Sequence, residues 1–428
     1  MLSRITLYRC ALLALVVMNS GFIVLSDDKR AGVPFVRELY TAIIMGATLW
    51  LFIAWKRVYE TRGLLLILFM AMALPLLSAL FAKLNFGQPI TYGLLEERRF
   101  FLYLVFFPTL YLLYKAQVGE HDLARYVLYA GLLCAMVGFL YYFGIIPPNA
   151  EIEFQVDDFI GIDELRPDRF RIGETYTTVC AFMLMYSIRQ RFSLPKIGLL
   201  LFFTAYLWLV IQTRQTMLVW AIAALWIFRT RIDSVLTMAF LGCTLFAVSY
   251  LLLPNFYTDQ LERLSMLLND AQMADNPRDE TIETIVRAIR HNDFLGMGAL
   301  SLQWNGGFAS VYNRHFYLSD VGMFGVYYRY GLLTAFVLLF FYVGFFRLLN
   351  HCPAKGPLLQ AMRLTFVTIC LNFVLSNGLT FMGDVLGMAA AFSVYLARQH
   401  RLGYDTAQSD SLGTLGRVHY DRLQYRHY

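Results

Sequence analysis

Residues 255–320 concentrate groups that can bind an anion or move a proton. Arg278, Arg287, Arg290, Arg314 and His315 lie in a polar stretch of about 65 residues between runs of membrane-type sequence. The stretch closes on His315-Phe-Tyr-Leu-Ser-Asp320-Val-Gly322-Met-Phe-Gly325. Arginine binds phosphate oxygens in a bidentate fork and stays charged at any physiological pH. Histidine can accept a proton from a hydroxyl near neutrality. The combination points to chemistry on an anionic substrate at one face of a membrane. A structural role competes with the chemical one at each position, and a lone histidine is more often structural than catalytic.

Within this stretch, 277–291 reads as a helix with Asn276 or Asp275 as its cap and Pro277 at its first position. At about 100° per residue, Ile282, Ile285 and Ile289 share a face. Arg278 falls on that same face, so it is expected to turn toward the membrane domain, where an arginine needs an anionic partner. Arg287 projects the opposite way, beside Glu280 and Glu283. Arg214 sits in Ile211-Gln-Thr-Arg-Gln-Thr-Met217, a tight turn between two apolar runs, where it is either a headgroup-level anchor or part of a site. Arg166, Arg169 and Arg171 are interleaved with Asp157, Asp158, Asp163, Glu164 and Asp168, which reads as a solvated charge network or as further substrate contacts. Asp384, inside the last apolar run, is expected to partner an arginine of a neighbouring helix, with a transport carboxylate as the other reading.

The elements that must position these residues are membrane helices. Hydrophobic residues make up 58% of the chain and charged residues 15%, with a mean hydropathy of +0.53. Apolar runs near 20 residues recur throughout, and one such run spans a bilayer. The expected fold is an all-α polytopic membrane protein of about twelve transmembrane helices, with a large outside loop containing short helices. Spans are read at 5–25, 38–55, 63–82, 99–115, 124–146, 174–188, 196–213, 215–229, 234–254, 324–349, 361–377 and 379–398. The run 324–349 is long enough to be a short re-entrant helix followed by a span. Residues 1–254 then form a membrane domain with the outside segment 147–173, and 255–323 form the large loop. Residues 324–398 return to the membrane, and 399–428 form a tail expected to be disordered.

Lys and Arg in alternate connections place both termini in the cytoplasm, and 83–98, 147–173 and 255–320 outside. The net charge of +6 is spread over many loops, which gives no footprint for nucleic acid. Of the six cysteines none falls in a large outside loop, so no disulfide framework is expected. No Walker A, GxGxxG or HExxH sequence occurs, and no cofactor or metal is expected.

Taken in order, these elements resemble the O-antigen polymerase and ligase (Wzy-type) superfamily of polytopic bacterial membrane glycosyltransferases. Thr213-Arg214 is similar to its short turn. Arg278 and Ile282 occupy its Arg-x-x-x-Trp positions, with Ile in place of Trp. Asn292-Asp-Phe-Leu-Gly296-Met-Gly298 is similar to its Gly-x-Gly segment, with Asp293 in place of Pro. His315, with Phe316 in place of Asn, precedes glycines 322 and 325 as the family's histidine precedes its glycine-rich return to the membrane. The resemblance covers the C-terminal half best and extends to exopolysaccharide polymerases of the xanthan kind. It implies a metal-independent inner-membrane enzyme that joins polyprenyl-diphosphate-linked oligosaccharides at the periplasmic face. It further implies His315, Arg278 and Arg214 as catalytic residues, and Arg287, Arg290, Arg314, Arg166 and Arg169 as substrate contacts. A chain-length regulator and export machinery are the implied protein partners. A ligase of the same superfamily and a transporter or flippase for lipid-linked sugars are the alternatives.

Overall fold

The computed structural model describes residues 3–26, 29–149, 168–230, 277–312, 321–375 and 379–411, with Phe316, Leu318 and a few single positions between 244 and 258. Arg166, Arg314, His315 and most of the expected span 234–254 lie outside the described residues. Every regular element among the described residues is helical, and the β-bridges are two isolated ones, Val24 with Val33 and Leu295 with Gly331. That is the outcome lipid imposes, since a backbone in hydrocarbon must satisfy its own hydrogen bonds.

In chain order the helices are α1 (Arg4–Asn19), α2 (Val36–Ala54), α3 (Leu64–Phe86), α4 (Ile90–Glu96), α5 (Arg98–Ala116), α6 (Glu120–Tyr142), α7 (Glu174–Gln190), α8 (Leu194–Ile211) and α9 (Arg214–Phe228). After these come α10 (Pro277–His291), α11 (Phe308–Val311), α12 (Met323–Tyr330), α13 (Thr334–Leu349), α14 (Pro357–Leu375) and α15 (Gly383–Ser411). Among the described residues six helices are long and apolar enough to cross a membrane: α2, α3, α5, α6, α8 and α14. Helices α9 and α13 are apolar but shorter. Their outward faces carry Leu218, Ile222 and Leu225, and Phe336, Leu339 and Phe346, all exposed at helical spacing. Contiguous apolar surface of this kind suits lipid rather than water.

The expected span 99–115 is present as α5, whose first half, Arg98–Val105, winds as a tighter 3₁₀ helix before becoming α-helical at Phe106. One expectation needs correction. The tail is helical at its start, because α15 continues through Ser411. By contrast the long run 324–349 does divide, with α12 ending at Tyr330 and α13 beginning at Thr334.

A single apolar core runs through the bundle, built chiefly where α15 packs on α5 and α14 packs on α7. Close approach there uses small residues: Ala389, Ala390 and Ala391 are buried, and a Cβ at Gly387 would lie 2.8 Å from the Tyr103 carbonyl oxygen.

The bundle has two distinguishable ends. At one, Arg9 Nε donates to the Ala116 carbonyl, Gln399 Nε2 donates to the Val118 carbonyl, and Arg62 meets His351. At the other lie the C-terminus of α1 and the N-termini of α2, α7 and α15, linked through Asn19 to Tyr40, Tyr176 and the Asp384 carbonyl.

Candidate functional site

The polar loop helix α10 folds as its periodicity dictates. Thr281, Ile285 and Ile289 are buried, and the two isoleucines pack with Phe316, Leu318, Val321 and Tyr328 of the segment entering α12. Phe308, Tyr312, Phe316 and Tyr328 form an aromatic cluster beneath it, with the Tyr312 and Tyr328 hydroxyls 2.9 Å apart. Burial holds the Tyr312 phenol above its ordinary range.

Arg278 departs from expectation. It shares the azimuth of the apolar stripe but is exposed, because it lies in the first helical turn, before the packed stretch opens at Thr281. Azimuth decides which way a side chain points. Position along the axis decides whether anything is there to cover it. Arg287 and Arg290 are exposed as well.

After α10 the segment 292–301 drops onto the membrane helices. Asn85 Nδ2 donates to the Gly296 carbonyl at 2.9 Å, and Gln88 Nε2 donates to the Ala299 carbonyl at 3.1 Å. The Ser301 amide returns a bond to Gln88 Oε1 at 2.8 Å, and the Ala299 amide donates to Ser78 Oγ at 3.1 Å. On its other side, the Met297 amide donates to the Tyr328 carbonyl and the Gly298 amide to the Arg329 carbonyl. Gly298 has φ +78°, and a Cβ there would lie 2.3 Å from Ala82 N and Ser78 O. Only glycine allows this approach.

Beneath this segment is a buried ion pair that the sequence reasoning missed. Arg329 Nε donates to Glu97 Oε1 at 2.7 Å, and Ser78 Oγ donates to the same oxygen at 2.8 Å. Glu97 is 1% exposed, and its Oε2 has no hydrogen-bond partner among the described residues. Half-buried Glu96 next to it titrates above the ordinary carboxylate range, mainly through burial and then through the Glu97 charge. The one available signal was Arg329 itself, a charge inside the apolar run 324–349 that demands a partner.

A second group forms at the α8–α9 turn. Gln212 adopts φ +52°, which lets the chain reverse between the two helices. Arg169 Nε donates to the Ile211 carbonyl at 3.1 Å and its Nη2 donates to Thr213 Oγ1 at 3.2 Å. The Phe170 amide donates to the Val210 carbonyl, and Arg30 stacks over the Phe170 ring at 5.0 Å. Thr216 Oγ1 donates to Glu174 Oε1 at 2.5 Å. Arg214, at the first position of α9, is left exposed at the tip. Two residues that sequence analysis treated separately are therefore joined, with Arg169 gripping the turn that presents Arg214.

Near this end, half-buried Asp384 stands at the start of α15, where its Oδ1 accepts from the Val385 amide and its charge lies within reach of Arg37 and Arg99. Arg37 donates to the Leu25 carbonyl at 2.6 Å, and Arg99 stacks over Phe381 at 4.2 Å. The expected arginine neighbours are thus present. The α10 arginines and the Arg169–Arg214 turn are held by different elements, the first by α12 and the second by α7 and α8. Compared with protein-family models, curated proteins and solved structures, the chain matches none.

Proposed function

We propose that the protein is a polymerase of polyprenyl-diphosphate-linked oligosaccharide repeat units, acting at the periplasmic face of the bacterial inner membrane to build exopolysaccharide or O-antigen. On this reading about twelve spans, with both termini cytoplasmic as the basic connections suggest, leave the loop 255–320 on that face. The observation that carries the reading is structural. The loop helix α10 and the Gly296–Gly298 segment are docked against membrane helix α3 and the short helix α12, while a gripped turn presents Arg214. These are the elements that carry the family resemblance.

In this reaction Arg214 and Arg278 hold the donor's diphosphate and neutralise it as a leaving group. Arg287, Arg290, Arg314 and Arg166 are further cationic contacts. Arg169 acts as a positioning residue for Arg214, since its guanidinium is engaged by the turn. His315 takes the proton of the acceptor hydroxyl as that oxygen bonds to the anomeric carbon. The bond from that carbon to the diphosphate oxygen breaks, the diphosphate departs on its lipid, and the anomeric configuration inverts. A ligase would use the same steps with a different acceptor. The observation favouring a transporter or flippase instead is half-buried Asp384 near Arg37 and Arg99, because ionisable groups inside a helical bundle commonly serve transport.

The sidedness of accumulated lipid-linked units separates these readings. In His315→Ala cells, polymer is expected to fall by about 10²–10⁴-fold, the contribution of a general base, with units accumulating on the outer leaflet. Accumulation on the inner leaflet would instead identify a flippase, and wild-type polymer yield would remove His315 from the mechanism. Reporter fusions at residue 290 and at the C-terminus are expected to read outside and cytoplasm. A cytoplasmic signal at 290 defeats the polymerase reading.

A further inference from the structure

At the bundle end remote from the α10 loop, three side chains from separate elements converge. Arg62 precedes α3, His351 follows α13, and Arg401 lies about five turns into α15. Arg62 Nη1 is 2.9 Å from both ring nitrogens of His351, and Arg401 Nη2 is 3.2 Å from its Nε2. Burial first, then Arg62 and Arg401, holds His351 below the ordinary imidazole range. A neutral imidazole has one acceptor nitrogen, so two guanidiniums compete for one lone pair and keep donors to spare. The ion pairs Arg98 with Glu38 and Arg329 with Glu97 lie elsewhere.

Depth and surroundings indicate what those spare donors face. Arg401 lies 18 residues beyond Gly383, about 27 Å at 1.5 Å per residue, close to the roughly 30 Å of a bilayer's hydrocarbon core. Aromatic residues gather at the same level. Trp55 packs against Tyr111 and Tyr114, Arg398 stacks over Tyr114 at 5.2 Å, and Tyr59 is exposed. A belt of this composition belongs at the headgroup layer.

We infer that Arg62, His351 and Arg401 form a phosphate-binding site at this interface, one that takes the phosphodiester of an anionic lipid headgroup or a free phosphate ion. Two planar forks aimed at one point match tetrahedral phosphate oxygens, which a single carboxylate on either side would pre-empt. The site stands independently of the polymerase reading.

Native mass spectrometry of the full-length protein, titrated with phosphatidylglycerol and with phosphatidylcholine, tests the lipid source. Calorimetry with inorganic phosphate tests the free ion. The double variant Arg62→Gln/Arg401→Gln is expected to lose about tenfold or more in affinity for the probe that binds. Arg62→Lys/Arg401→Lys, which keeps both charges, should retain part of it and controls for folding. Loss confined to phosphatidylglycerol identifies a lipid headgroup site, and loss of inorganic phosphate binding identifies a free-ion site. Equal phosphatidylglycerol and phosphatidylcholine affinities with no phosphate binding, or unchanged affinities in the glutamine variant, overturn the inference.

Discussion

Arg329→Met is expected to destabilise the folded protein by about 3–5 kcal/mol, the cost of leaving one partner of a buried ion pair uncompensated. Glu97 would then be a buried carboxylate with one hydrogen bond, from Ser78, and an Oε2 that even now has no partner among the described residues. The damage should spread outward. Ser78 also accepts from the Ala299 amide, and the Arg329 backbone receives Gly298, so the pair underlies the docking of 292–301. Thermal unfolding in detergent should show a lowered midpoint, and hydrogen exchange should accelerate at Met297, Gly298 and Ala299. The double variant Glu97→Gln/Arg329→Met removes both charges yet keeps an amide oxygen for Ser78, and it should recover much of the loss. If Arg329→Met unfolds within about 1 kcal/mol of wild type, or the double variant is no better than the single, the pair does not carry the docking.

Gly298→Ala should be almost as severe. The added methyl meets backbone atoms of α3, Ala82 N and Ser78 O, both at 2.3 Å, and backbone of a packed membrane helix cannot swing aside. Overpacking of this sort costs roughly 1–3 kcal/mol. A non-glycine residue held at φ +78° adds about 1–3 kcal/mol more. The loop segment should leave α3 while the bundle survives, since the main apolar core does not include it. Protease sensitivity in 292–301 with an intact membrane domain is the expected signature. Gly306→Ala is the comparison: it also has positive φ, at +78°, but its nearest neighbour would be Ser310 Cβ at 3.7 Å. Equal protease resistance of Gly298→Ala and Gly306→Ala would show that contact with α3 is unimportant.

What the chain alone determined was everything set by local periodicity and by the demands of lipid. The apolar runs had to be helices, because hydrocarbon offers no other partner for backbone polar groups. The stripe Ile282, Ile285, Ile289 dictated a packed face on α10, and Ile285 and Ile289 are fully buried. The run 324–349 was long enough to hold a short helix ahead of a second one, and it breaks around Gly331. Tertiary structure decided the rest. Glu97 and Arg329 are 232 residues apart, and in sequence one is part of Glu96-Glu97-Arg98-Arg99 at a loop while the other is a charge set among apolar residues. No spacing rule links them; only the docking of α12 against α3 does. Arg169 read as one charge among many until the fold set it beneath the Thr213–Arg214 turn, 44 residues away from Thr213. Arg278 shows the same limit from the other side. A helical wheel has no axial coordinate, so it placed the residue on the right face, and only packing revealed that the face is uncovered there. Direction along a chain is local chemistry, but coverage and partnership are properties of two segments at once.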